Sequence, residues 1–153
     1  LEQALPGAQP WSSCNHFMFD FFEHTADLGI EVQGASLEAL FEEAANALLG
    51  TILQHPEKVK PTITKSFEIH ETNTELLLRD FLNQLLILFE TQRLVFSAIK
   101  ITLKENALLA LAFGEEFEAQ RHGRNHEVKA ITYHGLSITA TGNGFKARFI
   151  VDI

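Results

Sequence analysis

Apolar and polar residues recur along this chain with two periods, and the switches between them mark its elements. Leu28, Ile30 and Val32 alternate with Gly29, Glu31 and Gln33, which predicts a half-buried strand. Gly34 breaks it. Ser36 is placed to cap a helix, and Glu38 suits the positive end of that helix. Leu37, Leu40, Phe41, Ala44, Leu48 and Ile52 then recur at three and four residues, one apolar face over about five turns. Pro56 must lie beyond its end. Ile63, Lys65, Phe67 and Ile69 share one face of a further strand. Thr72 and Glu75 have capping-box spacing and open a second helix running to about Glu90. That helix is apolar over most of its circumference, which predicts packing on more than one side rather than a face left open for a partner.

Two hairpins follow. Residues 94–104 and 107–113 flank Glu105-Asn106, and residues 133–140 and 145–153 flank Thr141-Gly142-Asn143-Gly144. Between them residues 114–125 read as a polar loop. In the last strand Phe145, Ala147, Phe149 and Val151 point one way, and Lys146, Arg148, Ile150 and Asp152 point the other. The aromatic-rich stretch 17–22 reads as an additional early strand. Residues 1–16 have no period and read as a flexible N-terminal tail, docked at most through Trp11, with the ordered domain over 17–153. Strands grouped with two helices predict a single α+β domain: a mixed or antiparallel sheet of about six to seven strands with two main helices packed on it.

Composition narrows the function. A formal net charge of −8 repels phosphate backbones and argues against strong binding of RNA by this chain alone. No apolar run approaches the ~20 residues of a membrane span, and no secretory signal is visible. The lone Cys14 fits a reducing compartment, cytoplasmic or nuclear. Thirteen Phe against one Trp and one Tyr favour packing over surface recognition.

Candidate chemistry is sparse. No phosphate cradle, nucleophile elbow or paired-Cys motif occurs. His24-Thr25-Ala26-Asp27 lies between two strands, where a polar turn is the commoner explanation. At the far end Asp152 and Ile153 put a side-chain carboxylate and a terminal carboxylate on adjacent residues. With Asp27 this makes three carboxylates, a set suited to Ca²⁺ or Mg²⁺; the competing reading is a solvated terminal acid. His24 is then a neighbour that shapes the turn, since a hard cation prefers oxygen. Residues 121–126 (Arg-His-Gly-Arg-Asn-His) are the locally basic stretch, open to an acidic partner or simply solvated.

Three segments together resemble the archease family: His24-Thr25-Ala26-Asp27-Leu28-Gly29 with the helix from Ser36; Glu127-Val128-Lys129-Ala130-Ile131-Thr132-Tyr133-His134-Gly135-Leu136; and Phe149-Ile150-Val151-Asp152-Ile153. The second helix, opening Glu75-Leu76-Leu77, and Gly114-Glu115 also match. Phe81 and Gln84 stand where many members have Trp and Glu, and Glu118 where Asp is usual. The resemblance implies a non-enzymatic protein cofactor of the GTP-dependent tRNA ligase, acting in tRNA splicing and RNA repair. It would promote guanylylation of the ligase and its multiple turnover. It also implies a divalent cation, Ca²⁺ with Mg²⁺ as the alternative, held by Asp27, Asp152 and the carboxylate of Ile153. The competing classes are a metal-dependent hydrolase or nuclease using Asp27, Asp152 and His24, and a general chaperone with an exposed apolar patch on the second helix.

Overall fold

The computed structural model describes residues 26–153 and the backbone of a short strand at 8–10. Trp11, Cys14, the strand expected over 17–22 and His24 lie outside the described residues. Strand β1 (Ala8–Pro10) falls within the stretch read as a tail and pairs antiparallel with β2 (Asp27–Gly34).

Both helices form where the periodicity places them. In α1 (Leu37–Ile52) the Ser36 hydroxyl accepts the Ala39 N–H at 3.1 Å. Leu40, Phe41, Ala44, Leu48 and Ile52 are all buried, and Pro56 starts a separate 3₁₀ turn (Pro56–Lys58). The start of α2 (Thr74–Gln92) differs from expectation. Asn73, not Thr72, is the cap, its side chain accepting the Leu76 N–H at 2.9 Å. Glu75 turns away from its own helix and accepts the Ile138 N–H at 3.1 Å. The apolar circumference of α2 is core: it meets α1 and five strands, and Phe81 stacks between Phe41 and Phe67. Ile87 stays exposed on it.

The α+β architecture holds, but the strands divide into two antiparallel sheets rather than one. The first runs β1–β2, then β8 (Gly144–Asp152) and β6 (Ala130–Ile131), with β7 (Ser137–Thr141) also paired to β8. The second is β3 (Ile63–His70), β5 (Ala107–Glu116) and β4 (Leu94–Lys104). Helix α1 is the physical reason for the division. It packs against β2 of one sheet and β4 of the other. From it Glu42 accepts the Ile101 N–H and Glu38 the Leu103 N–H, each at 3.0 Å. Spaced four residues apart on the helix, these carboxylates satisfy alternate donors on one edge of β4, so no further strand is needed there.

Two regions read as simple connections are more structured. Strand β5 runs on to Glu116 and is followed by a single helical turn, α3 (Ala119–His122). The strand expected over 133–140 begins only at Ser137, as β7, and the separate two-residue strand β6 (Ala130–Ile131) precedes it. Tyr133, His134 and Gly135 form the turn between them, with Gly135 at φ 67°.

Candidate functional site

The acid pair is made by register. Strand β8 lies between β2 on one side and β6 and β7 on the other. In the β2–β8 ladder Asp27 stands directly opposite Asp152, Gly29 opposite Ile150, and Glu31 opposite Arg148. Alternation sends Asp27 and Asp152 to the outer face, while Leu28, Ile30, Phe149 and Val151 pack inward. The ladder continues past the pair, with the Ile153 N–H donating to the Ala26 carbonyl at 3.0 Å. On the other flank Ala130 registers with Asp152, and the Lys129 N–H donates to the Asp152 carbonyl at 2.7 Å.

Two acids directly opposite across a ladder repel. Asp27 is exposed, whereas Asp152 is partly buried. Burial pushes the Asp152 carboxyl above its ordinary value, and the hydrogen bond and charge of Asp27 push it further; His134 and Lys129 pull the other way. So the structure brings together Asp27, Asp152 and the backbone of Ile153, and sets Lys129 and His134 beside Asp152. The sequence signal for those two was proximity in chain to Ala130, but only the β6–β8 pairing places them.

The donor set suits a hard cation: two carboxylates face each other across the ladder, and among the described residues Lys129 and His134 are the basic groups that act on Asp152. Among the described residues no third His, Cys, Asp or Glu side chain completes a cluster. A cation here would therefore need backbone, terminal or water oxygens to fill its shell, which Ca²⁺ and Mg²⁺ accept.

A second acidic centre has the opposite character. Gly114, where an added Cβ would lie 1.9 Å from the Val95 carbonyl oxygen, lets β5 close onto β4 and sets Glu115 against α3. Glu115 is buried, and His122 is fully buried. The Glu118 N–H donates to His122 Nδ1 at 2.9 Å, so the ring proton sits on Nε2 and is donated to Glu115 Oε2 at 2.8 Å. The Lys60 N–H donates to the same oxygen at 2.8 Å, and the Arg121 guanidinium donates to both carboxylate oxygens. The Arg121 hydrogen bond is the main cause that holds the Glu115 carboxyl down at about 2. Glu118, whose role the sequence left in doubt, binds Arg121 at 2.9 Å. The basic stretch 121–126 is thus not a free loop: Arg121 and His122 are spent inside the protein.

The comparisons agree with this architecture. The Archease protein family (MTH1598/TM1083) matches residues 19–153. The archease of Sulfurisphaera tokodaii is 36% identical over 137 residues, 88% of this chain and 98% of that protein. The archease of Thermococcus kodakarensis is 36% identical over 140 residues, with the same coverage of 88% and 98%. Among solved structures, Methanobacterium thermoautotrophicum protein 1598 superposes with TM-score 0.70 at 32% identity, covering 88% of this chain and 96% of that one. A Thermotoga maritima protein described as an archease, possible chaperone, gives 0.62 at 28% identity, covering 89% and 98%. The fold thus falls in a known class of small α+β proteins. This chain belongs to the archease family.

Proposed function

We propose that this protein is a metal-binding accessory factor that activates the GTP-dependent tRNA ligase, promoting its guanylylation and its repeated turnover. Family membership supports an accessory role, and the Asp27–Asp152 pair is the observation that carries the metal part of the reading. A like-charged pair at matched register destabilises a sheet unless something is recovered from it, and a bound cation recovers it. Asp27, Asp152 and the carboxylate of Ile153 would hold a divalent cation, Ca²⁺ with Mg²⁺ as the alternative. Bound there, it would offset the like charges of the pair at the sheet edge. Lys129 and His134 flank Asp152 and shape the field around it. The chaperone alternative expects an apolar face on α2, but that face is core apart from Ile87.

The test is a guanylylation assay of the cognate ligase with wild type, Asp27→Ala, Asp152→Ala and a chain extended beyond Ile153. Wild type should activate, and all three variants should lose activation and calorimetric Ca²⁺ or Mg²⁺ binding while keeping the fold. Full activation by the three variants would overturn the metal reading. Turnover of RNA by this protein without ligase would favour the hydrolase reading instead.

A further inference from the structure

We infer that Arg93 and Arg124 form a paired-guanidinium docking point for a side-chain carboxylate of the protein partner. The inference rests on the ligase-accessory reading above and names one contact surface for it.

Phe89 at the end of α2 and Phe117 after β5 meet edge to face, with centroids 5.4 Å apart. The Arg93 guanidinium lies 4.7 Å from the Phe89 centroid and 5.1 Å from that of Phe117. The Arg124 guanidinium lies 5.2 Å and 5.9 Å from the same two. Two cations therefore share one aromatic platform, each held by ring faces rather than by a counter-charge. Both side chains are exposed, and among the described residues neither takes part in an ion pair. Arg121, by contrast, is consumed by Glu115 and Glu118.

The backbone adds a second observation. Arg93 is one of two non-glycine residues with positive φ among those described, at 57°. A helix C-terminus that turns left-handed ordinarily uses glycine or asparagine. The carbonyl of Arg93 accepts the Phe117 N–H at 2.6 Å, so the turn that costs backbone strain also locks Arg93 to its platform. Exposed arginines usually lose rotamer freedom when they bind. Contact with the two rings restricts these two in advance, and a guanidinium over a ring keeps N–H donors for a carboxylate.

The position fits one interface. Asn125 and His126 donate to the last carbonyls of α1, and the chain then runs to Lys129, which donates to Asp152. The five steps along the chain from Arg124 to Lys129 span at most ~18 Å. A standard interface of ~800 Å² per partner covers that distance, so one partner facing both can touch the acid pair and the arginines together. In a chain of net charge −8, a local cationic pair gives an acidic partner a favoured orientation of approach.

The experiment measures equilibrium binding of this protein to the ligase without RNA, at low and physiological salt, and guanylylation as a function of its concentration. The variants are Arg93→Asn, which tolerates positive φ, and Arg124→Gln, singly and together. The double variant should bind roughly tenfold more weakly at low salt, show a flatter salt dependence, and reach wild-type guanylylation at saturation. Wild-type affinity and salt slope in a folded double variant, with wild type active, would overturn the inference and leave the functional reading standing. A defect appearing only when RNA is added would assign the arginines to phosphate and overturn it equally. Failure of wild type to bind or activate the ligase would overturn both readings.

Discussion

Glu115 and Asp152 are both carboxylates drawn out of water, and their surroundings drive them in opposite directions. Glu115 receives hydrogen bonds from Arg121, from His122 and from the Lys60 backbone, and its carboxyl is held at about 2. Asp152 faces another acid, and burial and that acid raise its carboxyl. The first is a closed account of donors and acceptors: nothing is left to bind a ligand. The second is open, because the nearest side chain makes its charge harder to hold. The difference separates a carboxylate whose charge the fold satisfies from one whose charge the fold opposes, and burial or charge alone would not have told them apart.

The comparison breaks first at His122. His122→Ala removes a fully buried ring, opens a cavity and leaves the Glu118 N–H without its acceptor. A loss of about 3 kcal/mol in denaturant unfolding is expected. A loss near zero would mean the network is ornamental.

Acid comes next, since protonating Glu115 removes charge but no atoms. A folded-state pKa depressed to about 2 from 4.5 contributes stability that is fully present above 4.5. That stability is lost as pH falls through 4.5 towards 2. Unfolding free energy followed across this window should fall more steeply for wild type than for Glu115→Gln. Parallel curves would show that Glu115 is not the group responsible.

How much of this the sequence carried follows from the range of each interaction. The faces of Asp27 and Asp152 were legible from alternation, because side-chain direction along a strand is local. Their pairing with each other depends on β2 finding β8 across nearly the whole chain: residue types alone offered the three-carboxylate set beside a solvated-acid reading, and the family resemblance favoured the set. The 114–125 stretch was misread for a different reason. Its charges look solvated one by one, and only their mutual neutralisation lets Glu115 and His122 be buried. A strand that alternates as far as Gly114 and then meets acids and bases at short spacing was the available signal. Two sheets were read as one because sequence periodicity reports which residues are strands, not which edges a helix closes. Glu38 was read only as suiting the positive end of its helix, yet with Glu42 it caps β4.

The smallest expected effect sharpens the comparison most, because its sign is unusual. Four residues up the same ladder from Asp27, Glu31 meets Arg148 at 3.0 Å and Lys146 at 3.8 Å, an ordinary complementary cluster. Glu31→Gln should cost about 0.5 kcal/mol, the usual worth of a cross-strand ion pair that solvent screens. Asp152→Asn should do the reverse in metal-free buffer. It removes a like charge from the position opposite Asp27, and the amide keeps the shape and the capacity to hydrogen-bond. A gain of about 0.5 kcal/mol is expected, read as a higher melting temperature in chelator. Adding Ca²⁺ should then raise the melting temperature of wild type and of Glu31→Gln, because a ligand that binds only the folded state stabilises it, and should leave Asp152→Asn unchanged. The crossing of the two series is the decisive feature: the variant that is more stable without metal becomes the less stable one with it. If Asp152→Asn is destabilised in chelator, the acid pair is held by interactions within the fold, and it belongs with Glu115 rather than opposite it.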